Sequence, residues 1–334
     1  MSSESKVEVV RLGPVNHLDG SDHLSITLVH GGYPCIVRTG AFAEGDRVAY
    51  VPVDMLVPTD QPAFVFLVDK ARSDGFYRTK AMRLRGTFSM GLIVPTPDGA
   101  AVGDDVTEAL GCFKWEPAVA TGTDNERDPG HMPVYTDVEG FRRWQHEPGV
   151  LVPGEEWVVT EKIHGANARF CWRDGRLWVG SRTNIKREDP TSIWWQAARH
   201  HNIAEKLAGK DDIVVYGEVY GQVQDLRYGV PSGCRFVAFD VFHRPRGVFL
   251  GPLESDWSAI FDIPTVTQLG VIRPADMAPA DLWALAEGPS LRPGANHIRE
   301  GIVIRPRQER WHPKLGRVIL KLVGEGYLTR KERH

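Results

Sequence analysis

Lys162, His164, Gly165 and Asn167 fall together in the run Val159-Thr160-Glu161-Lys162-Ile163-His164-Gly165-Ala166-Asn167. A lysine amine can attack phosphorus to give a phosphoramidate, provided that burial or a cationic neighbour suppresses its charge. The glycine three positions on lets backbone come close to a phosphate. Alone the pattern is weak, because Lys-x-x-Gly arises by chance and a strand-end lysine is ordinarily solvated. Its weight comes from further chemistry-bearing residues that succeed it, in order, down the chain. Ser181-Arg182 comes after a strand-like run and offers a guanidinium to a ribose or phosphate oxygen. Tyr216-Gly217-Glu218 puts a carboxylate at the end of an apolar strand, and Phe236-Val237-Ala238-Phe239-Asp240 sets a ring beside one. Glu300 opens the strand Gly301-Ile302-Val303-Ile304, and Lys321 ends Ile319-Leu320-Lys321. Transfer of an adenylate needs such a kit: an amine, a flat ring for the base, a carboxylate for the ribose, and cations and a metal for the phosphates.

Each of these residues also has a plainer use. His164 reads as a polar loop residue, Phe239 as core, Glu218 and Glu300 as ion-pair partners, and Lys321 as a residue at a sheet edge. The order of the whole set favours the chemical reading, most strongly for Lys162 and least for Lys321.

A chain of 334 residues is long enough for two cores. Its 42% hydrophobic and 25% charged content is ordinary for a soluble globular protein. The net charge of −3 advertises no polyanion partner, so nucleic acid would need a local basic patch. Cys35, Cys112, Cys171 and Cys234 are scattered, with no Cys-x-x-Cys pair, which argues against a zinc ribbon and a disulfide framework and fits a reducing compartment. The opening MSSESKVEVV has no secretory pattern, and no apolar run approaches the ~20 residues of a membrane helix. A cytoplasmic protein without membrane contact is expected.

The elements that must position these residues fall into two blocks. Strands are expected at Val7–Leu12, Leu24–Val29, Tyr33–Val37, Arg47–Val53 and Gly91–Pro95, at the spacing of a small barrel or sandwich. Gln61–Thr79 reads as a loop or short helix. Thr121–Pro133, rich in Gly, Pro and charge, is the linker candidate. Beyond it, a short helix at Val138–Trp144 precedes strands at Glu156–Glu161, Ala168–Trp172, Leu177–Gly180, Ile213–Val219, Arg235–Phe242, Gly301–Arg305 and Val318–Leu322. Helices are expected at Thr191–Leu207, Ser255–Phe261 and Pro279–Glu287.

The order and wording of these segments resemble the covalent nucleotidyltransferases, the superfamily of polynucleotide ligases and mRNA capping enzymes. Within it, Glu161-Lys162-Ile163-His164-Gly165-Ala166-Asn167 is similar to the RNA ligase 2 type. DNA ligases typically carry Lys-x-Asp-Gly-x-Arg, where His164 and Asn167 stand here. Glu44 to Asp54 and Leu84 to Ile93 are similar to the Deinococcus-type RNA ligases, which join an OB-fold module to a ligase domain. The resemblance implies an α+β chain, with an OB-fold-like all-β barrel at residues 1–120, a linker at 121–133, and a nucleotidyltransferase domain of antiparallel sheets with flanking helices at 134–334.

It also implies roles. Lys162 becomes adenylylated, Glu161 contacts the adenine edge through its main chain, and His164 helps the pyrophosphate leave. Asn167 meets the phosphates of ATP or the nick, and Arg182 the nucleotide and the 5′ end. Glu218 holds the ribose or assists a metal, Phe239 stacks on adenine, Glu300 holds the metal with Glu218 and Asp240 as further ligands, and Lys321 takes the α-phosphate. The implied activity is ATP-dependent RNA ligation with Mg²⁺ or Mn²⁺, by a monomer, on a nicked duplex with an RNA 3′-OH end, in RNA repair. The family often shows Lys-x-Lys in the last strand; positions 319 and 323 are Ile and Val here, leaving Lys314 or Arg317 as candidates for the second cation. A DNA ligase, a GTP-using capping enzyme, and a non-catalytic OB-containing nucleic-acid-binding protein are the alternatives.

Overall fold

The computed structural model describes residues 5–116, 125–250 and 262–331. They divide into two units. The first comprises 5–116, 137–150 and 328–330, and the second 125–136, 151–250, 262–327 and 331. The expected helix Ser255–Phe261 and the start of the linker, 121–124, lie outside the described residues.

The first unit is almost entirely β. Strands β1 (Glu8–Arg11), β4 (Arg47–Val51) and β5 (Leu92–Pro95) form one antiparallel sheet with β4 in the middle, and β2 (Leu24–Val29) pairs with β3 (Tyr33–Arg38) in a second. Alternation along the first sheet feeds two cores. Val9, Ala49, Val51 and Val94 pack with Met55, Phe64 and Leu67, while Val10, Val48, Tyr50 and Ile93 pack with Tyr33, Cys35 and Phe88. A sheet covered on both faces explains why its strands read as apolar runs rather than clean alternation. Gln61–Thr79 contains a 3-10 turn, Val65–Lys70, and a short strand, Phe76–Arg78. Helix α1 (Phe141–Trp144) belongs to this unit, where the Arg142 Nη1 donates to Gly32 O at 3.1 Å.

The second unit contains two antiparallel sheets. In one, β7 (Ala166–Arg173), β8 (Arg176–Gly180), β9 (Ile213–Gly221) and β10 (Cys234–His243) run in the order β8-β7-β9-β10. In the other, β6 (Trp157–Lys162), β11 (Gln268–Ile272), β12 (Gly301–Pro306) and β13 (Leu320–Val323) run in the order β13-β12-β6-β11. One face of the first sheet buries Ala168, Phe170, Val215, Phe236 and Ala238 with the side chains of helices α2 (Ile193–His200) and α3 (Ile203–Leu207). The sequence pattern alone suggests a single helix, Thr191–Leu207. It breaks at Asn202, whose φ of 52° is the left-handed conformation that asparagine tolerates better than most residues. The helix pair starts at Ser192, whose hydroxyl accepts from Trp195 N. Trp194 and Trp195 are buried in the core. No helix among the described residues is long and apolar enough to cross a membrane.

Candidate active site

Strand β6 carries Lys162 at its end, paired with Gly301 of β12. Residues opposite one another across antiparallel strands share a face, so Lys162 lies on the face that also carries Thr160, Val303, Arg305 and Lys321. In the other sheet, Asn167 pairs with Glu218, and Glu218 with Val237, which places these three side chains on one face. The two faces meet: the Arg305 Nη1 on the first lies 3.1 Å from Asp240 Oδ2 on the second. Lys162 therefore points into the space between two sheets.

There the Lys162 Nζ donates to Glu300 Oε1 at 2.7 Å, with the side chains 26% and 10% exposed. Glu218 stands close to both. Burial, helped by the Glu300 charge, outweighs the pull of Lys162 and of a hydrogen bond from the Gly165 backbone, and pushes its carboxyl up to about 8. Gly165 permits this closeness, since a Cβ there would sit 2.1 Å from Val219 O and 3.0 Å from Glu218 Cγ. The motif glycine thus lets the neighbouring strand approach, a use not visible in the sequence.

His164 is held at three points. Its backbone N donates to Tyr228 Oη at 2.7 Å, its Nε2 lies 2.8 Å from Asp225 Oδ1, and its Nδ1 lies 2.8 Å from Tyr327 Oη. Both ring nitrogens are engaged within the protein, so direct contact with a leaving pyrophosphate requires Tyr327 to give way. Sequence reasoning misses Asp225, Tyr228 and Tyr327. The polar, tyrosine-containing loop Gly221–Gly229 between two long strands is the available signal for the first two.

Phe239 owes its orientation to a β-bulge. Tyr216 pairs with Asp240 and Gly217 with Ala238, leaving Phe239 as the extra residue. A bulge turns two successive side chains toward one side of the sheet. The Tyr135 ring lies 5.0 Å from Phe239 while its hydroxyl donates to Asp240 Oδ2 at 2.8 Å, so Phe239 and Asp240 both meet Tyr135. Phe239 is only half-buried, leaving part of its ring exposed.

Other expected site residues are placed differently. The carboxylate of Glu161 lies on the far face of β6, where Ser290 Oγ donates to it at 2.5 Å and Leu291 N at 2.9 Å, while its own N–H donates to Thr267 O at 2.9 Å. Its carboxylate and N–H thus fasten the 290-loop and the 267 segment rather than meeting adenine, and only the main-chain carbonyl is left for that contact. Asp240 is corrected outright as a metal ligand: it is fully buried between Arg317, at 2.5 Å, and Arg305, and two guanidiniums repel a cation. Arg317 is itself buried, held between Asp240 and Glu309, so it does not stand in for the second lysine. Lys314 is exposed on the Trp311–Arg317 hairpin. Arg182 sits in the exposed turn Ser181–Asn184. Lys321 shares the Lys162 face two strands away and two residues along, since Lys162 is level with Gly301 and Val323 and Lys321 with Val303, a separation of roughly 12 Å at ordinary strand geometry.

A family model described as RNA ligase matches residues 155–323, more than half of the chain. The chain belongs to the RNA ligase family. A model described as an OB-fold domain matches residues 6–96, which makes the β-rich first unit an OB-fold domain ahead of the ligase domain. Among solved structures, Naegleria gruberi RNA ligase with pyrophosphate is 26% identical, with a TM-score of 0.82 over 98% of both chains. A lysine-to-alanine variant of that protein with ATP and Mn is 26% identical, at a TM-score of 0.82 over 96% of this chain and 98% of that one. A glutamate-to-alanine variant with AMP and Mn gives 26% identity and 0.82 over 97% and 98%. Among curated proteins, none matches the chain.

A divalent cation fits this family member's site. No three His, Cys, Asp or Glu side chains converge as a ready-made cage among the described residues. Two buried oxygens nevertheless have no hydrogen-bond partner there, Glu300 Oε2 and Asn167 Oδ1, the latter on the residue paired with Glu218. Mg²⁺-like ions keep several waters and use one or two carboxylates plus substrate phosphates, which is what Glu300 and Glu218 offer.

The raised Glu218 carboxyl has a measurable consequence. Between its ordinary value of 4.5 and about 8, the folded chain holds a proton that the unfolded chain has released. Its contribution to stability therefore falls as pH rises through that window. A cation beside Glu218 displaces the same proton. Calorimetry of Mn²⁺ binding in buffers of different ionisation enthalpy is expected to show net proton release near neutral pH, diminishing above about 8. Binding with no proton exchange would remove Glu218 from the cation site.

Proposed function

We propose that this RNA ligase seals 5′-phosphate/3′-OH breaks through a lysyl-AMP intermediate, using ATP. The observation that carries the reading is Lys162 Nζ, 2.7 Å from Glu300 and beside Glu218 in the space between two sheets. In the first step Nζ attacks the α-phosphorus of ATP, a P–N bond forms, and the bond to pyrophosphate breaks with its electron pair. Attack needs the lone pair of the uncharged amine, so Nζ gives up one proton beforehand, which Glu300 Oε1 is within reach to accept, and a second as the P–N bond forms, which passes to solvent. AMP then passes to the 5′-phosphate of a strand, and a 3′-hydroxyl displaces it to make the phosphodiester. Mg²⁺ or Mn²⁺ held by Glu300 and Glu218 would supply positive charge to the phosphates and beside the amine. The Naegleria structures with ATP and Mn support that choice of nucleotide and metal. Asn167 faces the same space and Lys321 shares the Lys162 face, which suits both to phosphate oxygens. Arg182 is assigned to the substrate's 5′ end.

Phe239 is assigned to adenine. Stacking a base on an aromatic ring contributes about 1–3 kcal/mol. Phe239→Ala is therefore expected to raise the KM for ATP roughly 5- to 150-fold, with label transfer still reaching completion at saturating ATP. An unchanged KM would take the ring out of the base pocket.

The OB-fold domain is assigned to holding a nicked duplex, since such folds bind strands through one sheet face and its loops. Preference for an RNA 3′-OH end would come from contact with its 2′-hydroxyl. A monomer acting in RNA repair in the cytoplasm is the setting that goes with this reading, and four buried free cysteines suit a reducing compartment. Comparing label transfer from α-labelled ATP, GTP and NAD tests the assignment. Transfer from ATP alone is expected; transfer from GTP in its place would make the protein a capping-type enzyme.

A further inference from the structure

We propose that Asp225 and Tyr327 are positioning residues that hold the His164 imidazole with its proton on Nε2 and its Nδ1 edge toward Glu300. The inference rests on reading Lys162 as the AMP acceptor, because His164 matters through its place beside that amine.

Donor and acceptor roles decide the tautomer. An ionised carboxylate only accepts, so the 2.8 Å contact between Asp225 Oδ1 and His164 Nε2 requires a proton on Nε2. In a neutral imidazole Nδ1 is then an acceptor, and the Tyr327 hydroxyl at 2.8 Å donates to it. The ring is thus fixed at both ends, with the Tyr327 ring packed edge-on at 5.5 Å. The His164 backbone is fixed separately by Tyr228.

The position of the clamp gives it a function. His164 Nδ1 lies 3.9 Å from Glu300 Oε2, the buried oxygen with no hydrogen-bond partner on the carboxylate that holds Lys162. The groups facing the ring are Asp225, Tyr327 and Glu300, brought in from the loop after β9, the C-terminal turn and the residue before β12, while Tyr228 holds the backbone. A carboxylate that orients a histidine in this way sets which nitrogen faces the reaction, and its loss costs turnover rather than folding. Tyr327 also makes the C-terminal segment part of the site. The turn beginning at Glu325 is anchored by Glu287, whose Oε1 accepts from Glu325 N at 2.5 Å.

The test uses the full-length protein and two readouts. Nitrogen-15 NMR of the histidine rings reports which nitrogen of His164 is protonated, with or without activity. Single-turnover adenylylation across ATP concentrations separates rate from KM. The wild type is expected to show a protonated Nε2. Asp225→Asn and Asp225→Ala are expected to slow adenylylation about 10- to 100-fold, the usual range for losing such an orienting partner, with KM for ATP unchanged. Asp225→Glu should restore part of the rate, and Tyr327→Phe should show a smaller loss. A wild-type ring with Nε2 unprotonated, or Asp225→Asn labelling at the wild-type rate, overturns the proposal and leaves Lys162 untouched. A wild type that takes no label from ATP overturns the Lys162 reading, and the NMR result still decides the clamp.

Discussion

Lys162→Ala should abolish covalent transfer of label from ATP radiolabelled at its α-phosphate. A missing nucleophile cannot be replaced by binding energy, so the loss should be at least on the order of 10³-fold, down to background. Alanine also removes the ion pair with Glu300, which invites the objection that the site has merely rearranged. Lys162→Arg answers it. A guanidinium keeps a positive charge near Glu300 and the buried stem, but it stays protonated and does not attack phosphorus. Both variants should therefore fail to label, while binding of unreactive ATP analogues changes far less in the arginine variant. Labelling of either at more than a small fraction of the wild-type rate would place the acceptor elsewhere.

Asp240→Asn should destabilise the protein by about 3–5 kcal/mol, the usual penalty for removing one partner of a buried ion pair. The pair sits between the two sheets of the second unit. Asp240 Oδ2 is 2.5 Å from Arg317 Nη1, 3.1 Å from Arg305 Nη1 and 2.8 Å from the Tyr135 hydroxyl, and Asp240 and Arg317 are almost wholly buried. Glu309 shares both arginines, but one carboxylate cannot neutralise two guanidiniums. Asparagine keeps the shape and removes the charge, so denaturant unfolding should report the electrostatic cost rather than a cavity. A loss below about 1 kcal/mol would mean that the arginines find another counter-charge. The same group predicts acid sensitivity. Burial alone raises the Asp240 carboxyl, but Arg317 and Arg305 outweigh it and hold it below its ordinary 3.8. Its stabilisation is therefore complete above 3.8 and is lost as pH falls through the lower, folded-state value. The asparagine variant should show a correspondingly flatter stability profile in acid.

The strands are legible in the sequence because their apolar runs are punctuated by turn residues; Leu24–Val29 matches to the residue, and most others differ by one to three. Gln268–Ile272 is not, because it is short and carries Gly270, a residue that strands ordinarily avoid, and neither are short strands such as Met55–Pro58, Met82–Leu84, Thr87–Ser89 and Val248–Leu250. In the site, Lys162, Glu218 and Glu300 stand out by type and order, and the structure brings them together. What the sequence does not carry is pairing at a distance. Asp225 reaches His164 across 61 residues and Tyr327 across 163, and nothing local marks either as its partner. Asp240 shows the converse error: a carboxylate beside a ring looks like a cation ligand until Arg317, 77 residues on, proves to have claimed it. The Glu161 carboxylate is likewise claimed, by Ser290 129 residues away, and the expected adenine contact rests on its main chain. Local chemistry names the candidates, and tertiary neighbours decide which carboxylates remain free for a substrate.

The most direct measurement is an intact mass spectrum of the purified protein after incubation with ATP and Mn²⁺, coupled to peptide mapping under conditions that preserve phosphoramidates. A mass gain of one AMP per chain is expected, confined to the peptide containing Lys162 and absent from Lys162→Arg. AMP attached to any other residue, or an unmodified chain that still joins RNA ends, would contradict the lysyl-AMP route.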